Sequence, residues 1–334
     1  MPLPDDPLNR WWVEANPEDN PREADGFRQC LLTLLAFGPN KEPYVVGTGF
    51  IIAYGEGFTL SLTAAHVLPA GVHGFQRPMA RHAASSLFVP RKWSEPSLDP
   101  KKLKVLWAGP TTAEALNVAH VTYNDSLDIS CLLVVPQESQ QHFVPAMIPL
   151  DTTVPAAGDI VLIVSNDALN VDETRPPDDK DGRGQQLTIA RRVSIRRGVV
   201  TGVFPGGYRQ FRWPCFTTSI PIRPGMSGGF VFIPREGETI AACGVVSADL
   251  SNASAHESFL TCGESVIAST WPALCLIVPM SMGGGTTDHS SATLQEMMKL
   301  GRMQTAIGGI DHIEILRKDD GFVVRNLRSR IVPG

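Results

Sequence analysis

The feature that most constrains this chain is a set of short apolar or alternating segments, each closed by Gly, Pro or Asn, arriving in two successive series. RQCLLTLLAFG, YVVGTGFIIAY, FTLSLTAAHVL, KLKVLWAG, NVAHVTYN and DISCLLVV form the first. GDIVLIVSN, QLTIARRVSIRRGVVTGVF, CFTTSIPI, GGFVFIP, IAACGVVSAD and CLIVPM form the second. Alternation bounded by turn residues is the pattern of antiparallel strands. The 30 Gly and 27 Pro supply turns for many short elements rather than a few long ones. Two strand series of similar length predict an all-β protein built as two barrels.

Four stretches organise the chain around those series. Residues 1–26 read as an acidic, Pro-rich arm that the Trp11–Trp12 pair could anchor. Residues 27–148 are expected to form the first β-barrel, 149–282 the second, and 283–334 a C-terminal extension. Within the first, residues 70–102 are rich in His, Arg, Pro and Ser and read as a long surface connection. Within the second, DALNVDETRPPDDKDGRGQ reads as a polar loop. In the extension, Thr293 and Glu296 have capping-box spacing, and Leu294, Met297 and Met298 form an apolar stripe. They predict a short helix ending near Gly301. HIEILRKDDGFVVRNL then reads as a hairpin turning at Asp320–Gly321.

Hydrophobic residues make up 43% and charged residues 19%, which excludes wholesale disorder. A net charge of −5 argues against a nucleic-acid partner. The apolar run Cys30–Phe37 is far too short to span a bilayer, so no membrane partner is expected. The first residues lack the basic start and apolar core of a secretory signal. The six cysteines are thinly spread, several in strand-like segments where a free thiol packs as a small hydrophobe. Reduced thiols and a cytoplasmic location are the expectation. No HExxH and no Cys/His cluster occurs, so neither a metal nor a cofactor is expected.

Three local signals carry chemistry. Gly225-Met226-Ser227-Gly228-Gly229 stands just before the strand FVFIP. A serine hydroxyl needs a base to become a nucleophile, and the oxyanion it creates needs fixed donors. A sharp turn there would let the Gly225 and Ser227 N–H groups converge, while the other glycines leave room for a substrate backbone. Taken alone, the segment is also an ordinary Gly-rich turn. The second signal, Leu62-Thr63-Ala64-Ala65-His66-Val67, follows Gly47-Thr48-Gly49-Phe50 closely and delivers a His at the end of an apolar strand. A structural His is the plainer reading of that residue alone. The third is Asp128, opening the apolar strand DISCLL. A carboxylate there is costly to bury without a partner, and an imidazole N–H is a suitable one. Asp125 is the better candidate for the turn residue before that strand.

In combination, GTGFII…LTAAHVL, DISCLL and RPGMSGGFVF resemble the three signature segments of trypsin-like, chymotrypsin-fold serine peptidases. The order His, Asp, Ser and the wide separations suit a His and Asp on the first barrel and a Ser on the second. The resemblance spans roughly residues 30–280 and implies two packed six-stranded antiparallel β-barrels with the arm and extension added. It implies a serine endopeptidase acting on protein or peptide substrates, with His66, Asp128 and Ser227 as catalytic triad and Gly225 and Ser227 as oxyanion hole. PGMSGG, GDIVLIVSN and CLIVP are most similar to the bacterial Deg-type branch. By the same resemblance, Ser247 lies near the triad, and Ser247, Ala248 and Asp249 form a wall that pairs with an extended substrate. Pro221 takes the place of a specificity residue.

Departures refine this picture. Secreted digestive relatives carry an Asp before the nucleophile that pairs with a newly cut N-terminus; here Met226 stands there. Their disulfide beside the active-site His is missing, since Val67 follows His66. Residues 283–334 are too few for the usual Deg-type peptide-binding module. The competing reading keeps the fold but makes the chain a peptide-binding scaffold, or a latent enzyme assembled by a regulatory partner. Arg191, Arg192, Arg196, Arg197, Arg209 and Arg212 form a basic cluster, read first as the solvent face of a strand pair and second as a dock for an acidic partner or nucleic acid.

Overall fold

Both strand series close on themselves. The computed structural model describes residues 27–37, 43–55, 58–70, 87–88, 103–108, 113–124, 127–136, 143–175, 186–209, 211–222, 225–249, 265–281, 289–318 and 321–328. The first series gives β1 (Leu31–Phe37), β2 (Pro43–Gly55), β3 (Phe58–Ala64), a helical turn α1 (Val67–Ala70), β4 (Leu87–Phe88), β5 (Leu103–Ala108), β6 (Ala113–Asn124) and β7 (Ile129–Val135). Six of its strands form a closed barrel in the order β1-β2-β3-β7-β6-β5. The second gives β8 (Ile160–Arg175), β9 (Gln186–Phe204), β10 (Cys215–Thr218), β11 (Phe230–Phe232), β12 (Gly244–Asp249) and β13 (Ser265–Ser269). They close in the order β10-β13-β12-β11-β8-β9. Every strand pair with a described register in the two barrels is antiparallel, as the sequence predicts. Closure removes the open edges on which strands would otherwise aggregate.

The barrels share one apolar seam. Phe50 of β2 packs 5.4 Å from Phe230 of β11, and Phe27 lies 6.0 Å from Phe230 and 6.3 Å from Phe232. All four rings are buried, each worth about 1.5–3 kcal/mol relative to exposure. A second cluster fills the β8–β13 barrel, built from Val161, Ile163, Phe216, Ile220, Val246 and Ile267, with Met226 among them.

The extension continues through a 3-10 turn (Trp271–Cys275) into β14 (Ile277–Ser281), β15 (His289–Thr293), helix α2 (Leu294–Lys299), β16 (Ile313–Lys318) and β17 (Gly321–Asn326). The expected capping box is present: the Thr293 hydroxyl accepts from the Glu296 amide, and the Glu296 carboxylate accepts from the Thr293 amide. Gly301 has φ +66, which ends the helix there. The extension laces onto the connection between barrels. Ile307 N–H donates to Leu150 O, Thr152 N–H donates to Ile307 O, and the Thr152 hydroxyl donates to Gly309 O at 2.7 Å.

Three expectations need correction. Residues 70–102 are not connection throughout, because Leu87 and Phe88 form β4 and pair with Arg325 and Val324 of β17. Residues 167–175 of the polar stretch after Asn166 are strand: β8 and β9 pair out to Arg175 and Gln186, with Asp167 opposite Arg192. Backbone pairing with β9 outweighs the polar composition there. The last hairpin pairs Lys318 with Gly321, so Gly321 is already strand and not turn; Asp320 lies outside the described residues. The N-terminal arm with Trp11 and Trp12, and the turn residue Asp125, lie outside the described residues.

Cys30, Cys131, Cys215, Cys243 and Cys275 are free and buried; Cys262 lies outside the described residues. Among the described residues no group of His, Cys, Asp and Glu could hold a metal, and no helix is long and apolar enough to cross a membrane.

Candidate active site

Strand pairing alone brings the first two candidates together. β3 and β7 run antiparallel with Ala64 opposite Ile129. His66 leaves β3 two residues later and Asp128 enters β7 one residue earlier, so both emerge at one end. The Asp128 carboxylate lies 2.9–3.0 Å from His66 Nδ1 and accepts a 2.9 Å bond from the His66 amide. Asp128 itself adopts φ +49, in the left-handed region an L-residue rarely takes. The amide of Ala65 donating to Asp128 O at 3.0 Å, with the His66 bonds, holds it there.

The second barrel closes over the same carboxylate. Ser247 is the bulged residue of β12, between paired Val246 and Ala248. Its hydroxyl, fully buried, donates to Asp128 Oδ2. Asp128 is 4% exposed, and this set of donors makes burial of an ionised carboxylate tolerable. His66 keeps partial exposure, as a group that exchanges protons with a substrate must.

Ser227 sits in the turn that enters β11. Gly225 and Gly228 have φ +92 and +87, so the sharp turn expected of this segment is present. The room that glycine leaves is used differently from expectation. A Cβ on Gly228 would lie 2.0 Å from Thr48 O and 2.3 Å from Thr63 Oγ1. That space is filled by the first barrel, not left open for a substrate. Thr48 N–H donates to Ser227 O at 2.8 Å, and Gly228 N–H donates to Val246 O at 2.9 Å. A Cβ on Gly47 would strike the Val67 side chain at 2.5 Å and Ser227 O at 2.8 Å. The Ser227 turn therefore backs onto Gly47, which in turn touches the residue following His66. Gly47 and Val67 fit together there by the absence of a side chain on one of them.

Met226 answers the question raised by its replacement of an aspartate. It is wholly buried among Ile220, Ile222 and Val246 in the core of the second barrel. An apolar anchor holds this position.

Pro221 is exposed, and Ile222 beside it is buried. Ala248 and Asp249 continue β12 beyond Ser247, opposite Val266 and Ser265. Of the basic cluster, Arg209 and Arg212 are exposed and Arg196 and Arg197 half-buried; Arg209 stands 5.1 Å over the Tyr208 ring.

A family model of the trypsin-like peptidase domain matches residues 47–241, more than half of the chain and all three candidate residues. The chain belongs to the trypsin-like peptidase family. No curated protein matches it. Among solved structures, an inactive serine-to-alanine mutant of Rv3671c from M. tuberculosis H37Rv aligns at 13% identity and a TM-score of 0.41, covering 77% of this chain and 89% of that one.

The sequence did not single out Thr48 or Asn166. Thr48 lies inside the segment Gly47-Thr48-Gly49-Phe50, and Asn166 ends a strand-like run. Both are fully buried polar residues at the barrel junction. A polar residue inside an otherwise apolar strand was the available signal.

Proposed function

We propose that this peptidase-family chain is a serine endopeptidase working through an acyl-enzyme, with Ser227 as nucleophile, His66 as base and Asp128 as its orienting carboxylate. The observation that carries this reading is the buried Asp128 carboxylate gripping His66 Nδ1 while the Ser247 hydroxyl donates to Oδ2 of the same carboxylate. With Asp128 on Nδ1, the neutral imidazole carries its proton there and leaves Nε2 free to take the Ser227 proton. Ser227 Oγ then bonds to the scissile carbonyl carbon. His66 returns the proton to the amine as the C–N bond breaks, and water repeats the sequence on the ester. The Gly225 and Ser227 N–H groups are assigned to the oxyanion.

The strand end Ser247–Asp249 suits an extended substrate segment that adds to β12 by backbone pairing, and exposed Pro221 favours a small or medium apolar residue before the cut. Kinship with the Deg-type branch rests on PGMSGG and the two strand motifs. A reducing, cytoplasmic setting is supported by five buried free thiols.

A fluorophosphonate probe should label the purified chain on Ser227, and Ser227→Ala should abolish labelling with an unchanged thermal transition. Labelling without any added partner is expected, because Met226 anchors the turn internally. Labelling that appears only after adding cell extract would favour the latent, partner-assembled alternative. Absence of labelling in both conditions would leave the scaffold reading.

A further inference from the structure

We infer that Thr48, a first-barrel residue, is a positioning residue for the oxyanion turn of the second barrel, an inference that rests on the endopeptidase reading above. Its hydroxyl donates to Gly225 O at 2.7 Å and accepts from the Asn166 amide at 3.1 Å. Those roles are unambiguous: an amide N–H can only donate and a carbonyl can only accept, so the single hydroxyl proton points at Gly225. Thr48 N–H meanwhile holds Ser227 O. The two residues assigned as oxyanion donors thus have both their carbonyls fixed by one residue of the other barrel.

A turn built on glycines with φ near +90 has little conformational restraint of its own. Tying the Gly225 carbonyl fixes the plane of the peptide that follows it. The Gly225 N–H then keeps only the rotations on its own side of Cα. The tie is itself supported from behind. Thr63 Oγ1 donates to Thr48 O at 2.6 Å, which sets the Thr48 backbone. Asn166 Nδ2 donates to Leu32 O at 3.2 Å and to Thr33 Oγ1 at 3.1 Å, which sets the amide that feeds the Thr48 hydroxyl. Thr48 is fully buried, so no water substitutes for a lost hydroxyl.

The test uses three single variants of the full chain. Thr48→Val keeps the shape and removes the hydroxyl; Thr48→Ser keeps the hydroxyl. Thr122→Val removes a buried first-barrel hydroxyl, bonded to Ile277 O, that lies outside this network. With a peptide substrate, Thr48→Val should lower kcat about tenfold to a hundredfold with KM changed less than about threefold, because a small misplacement of catalytic donors acts on the transition state. Thr48→Ser should recover kcat to within about threefold, and Thr122→Val should leave kcat unchanged even where its thermal transition falls as far. Hydrogen exchange supplies a readout independent of turnover: the peptide covering residues 225–229 should exchange faster in Thr48→Val and not in Thr122→Val. Equal kcat per folded molecule in Thr48→Val and wild type, or a kcat loss shared by Thr122→Val, would overturn the assignment. A wild-type chain that never reacts overturns the endopeptidase reading instead, and the exchange comparison still decides whether Thr48 holds the turn.

Discussion

The two halves of the candidate site are built in opposite ways. His66 and Asp128 stand at the ends of two paired strands of one barrel, and the pairing of Ala64 with Ile129 is enough to bring them together. Ser227 stands on an irregular turn shaped by two positive-φ glycines and held from outside its own barrel. Regular backbone pairing places one half, whereas tertiary contact places the other. The geometry of the first half should therefore survive changes that preserve shape, and that of the second should fail whenever the barrel junction is disturbed.

The largest expected effect tests the first half chemically without disturbing its geometry. Asp128→Asn is nearly isosteric, and the His66 amide can still donate to its carbonyl oxygen. The charge on Nδ1 is lost and the wrong tautomer is favoured, so kcat should drop by about 10⁴, as loss of the orienting carboxylate does in such triads. Steady-state kinetics, with thermal melting as a control for folding, check it. A drop below about tenfold would mean that Asp128 only braces the strand end.

A smaller loss, with the opposite character, is expected on the other half. Gly228→Ala places a methyl 2.0 Å from the Thr48 carbonyl oxygen at a φ of +87 that alanine disfavours. The turn must move away from the first barrel, and labelling of Ser227 should slow by about a hundredfold or more. Circular dichroism should still report β structure, since both barrels close through strands that do not include residue 228.

The smallest expected effect is none at all in the native state. Burial pushes the thiols of Cys131, Cys215 and Cys275 up to about 12. The thiolate is the reactive form, so iodoacetamide near pH 8 should leave all three unmodified until the chain unfolds. Cys131 lies in β7 of the first barrel and Cys215 in β10 of the second. Because Phe27, Phe50, Phe230 and Phe232 form one seam, both cysteines should become reactive at the same denaturant concentration, read by mass spectrometry. Separated midpoints would show that the barrels unfold independently.

The sequence showed most where local rules decide. Period-two runs gave the strands, the Thr293–Glu296 spacing gave the helix start, and three short segments marked the candidate residues. It failed where partners distant in sequence decide. DALNVDETR carries no strand pattern and becomes strand because Gln186–Arg192 lies beside it. Leu87 and Phe88 become strand because of β17, more than two hundred residues onward. At the site, the Gly-rich segment announced a turn, yet Gly228 serves close contact with Thr48 and Thr63, which no local pattern reveals.

The lacing of the connection between barrels by the extension bears on how the chain matures during synthesis. Leu150 and Thr152 are bonded by Ile307 and Gly309 of the extension. A ribosome that has released both barrels still retains those partners. The connection between the barrels is thus fully bonded only near the end of translation, so a truncated or stalled product carries all three candidate residues while Leu150 and Thr152 lack these partners.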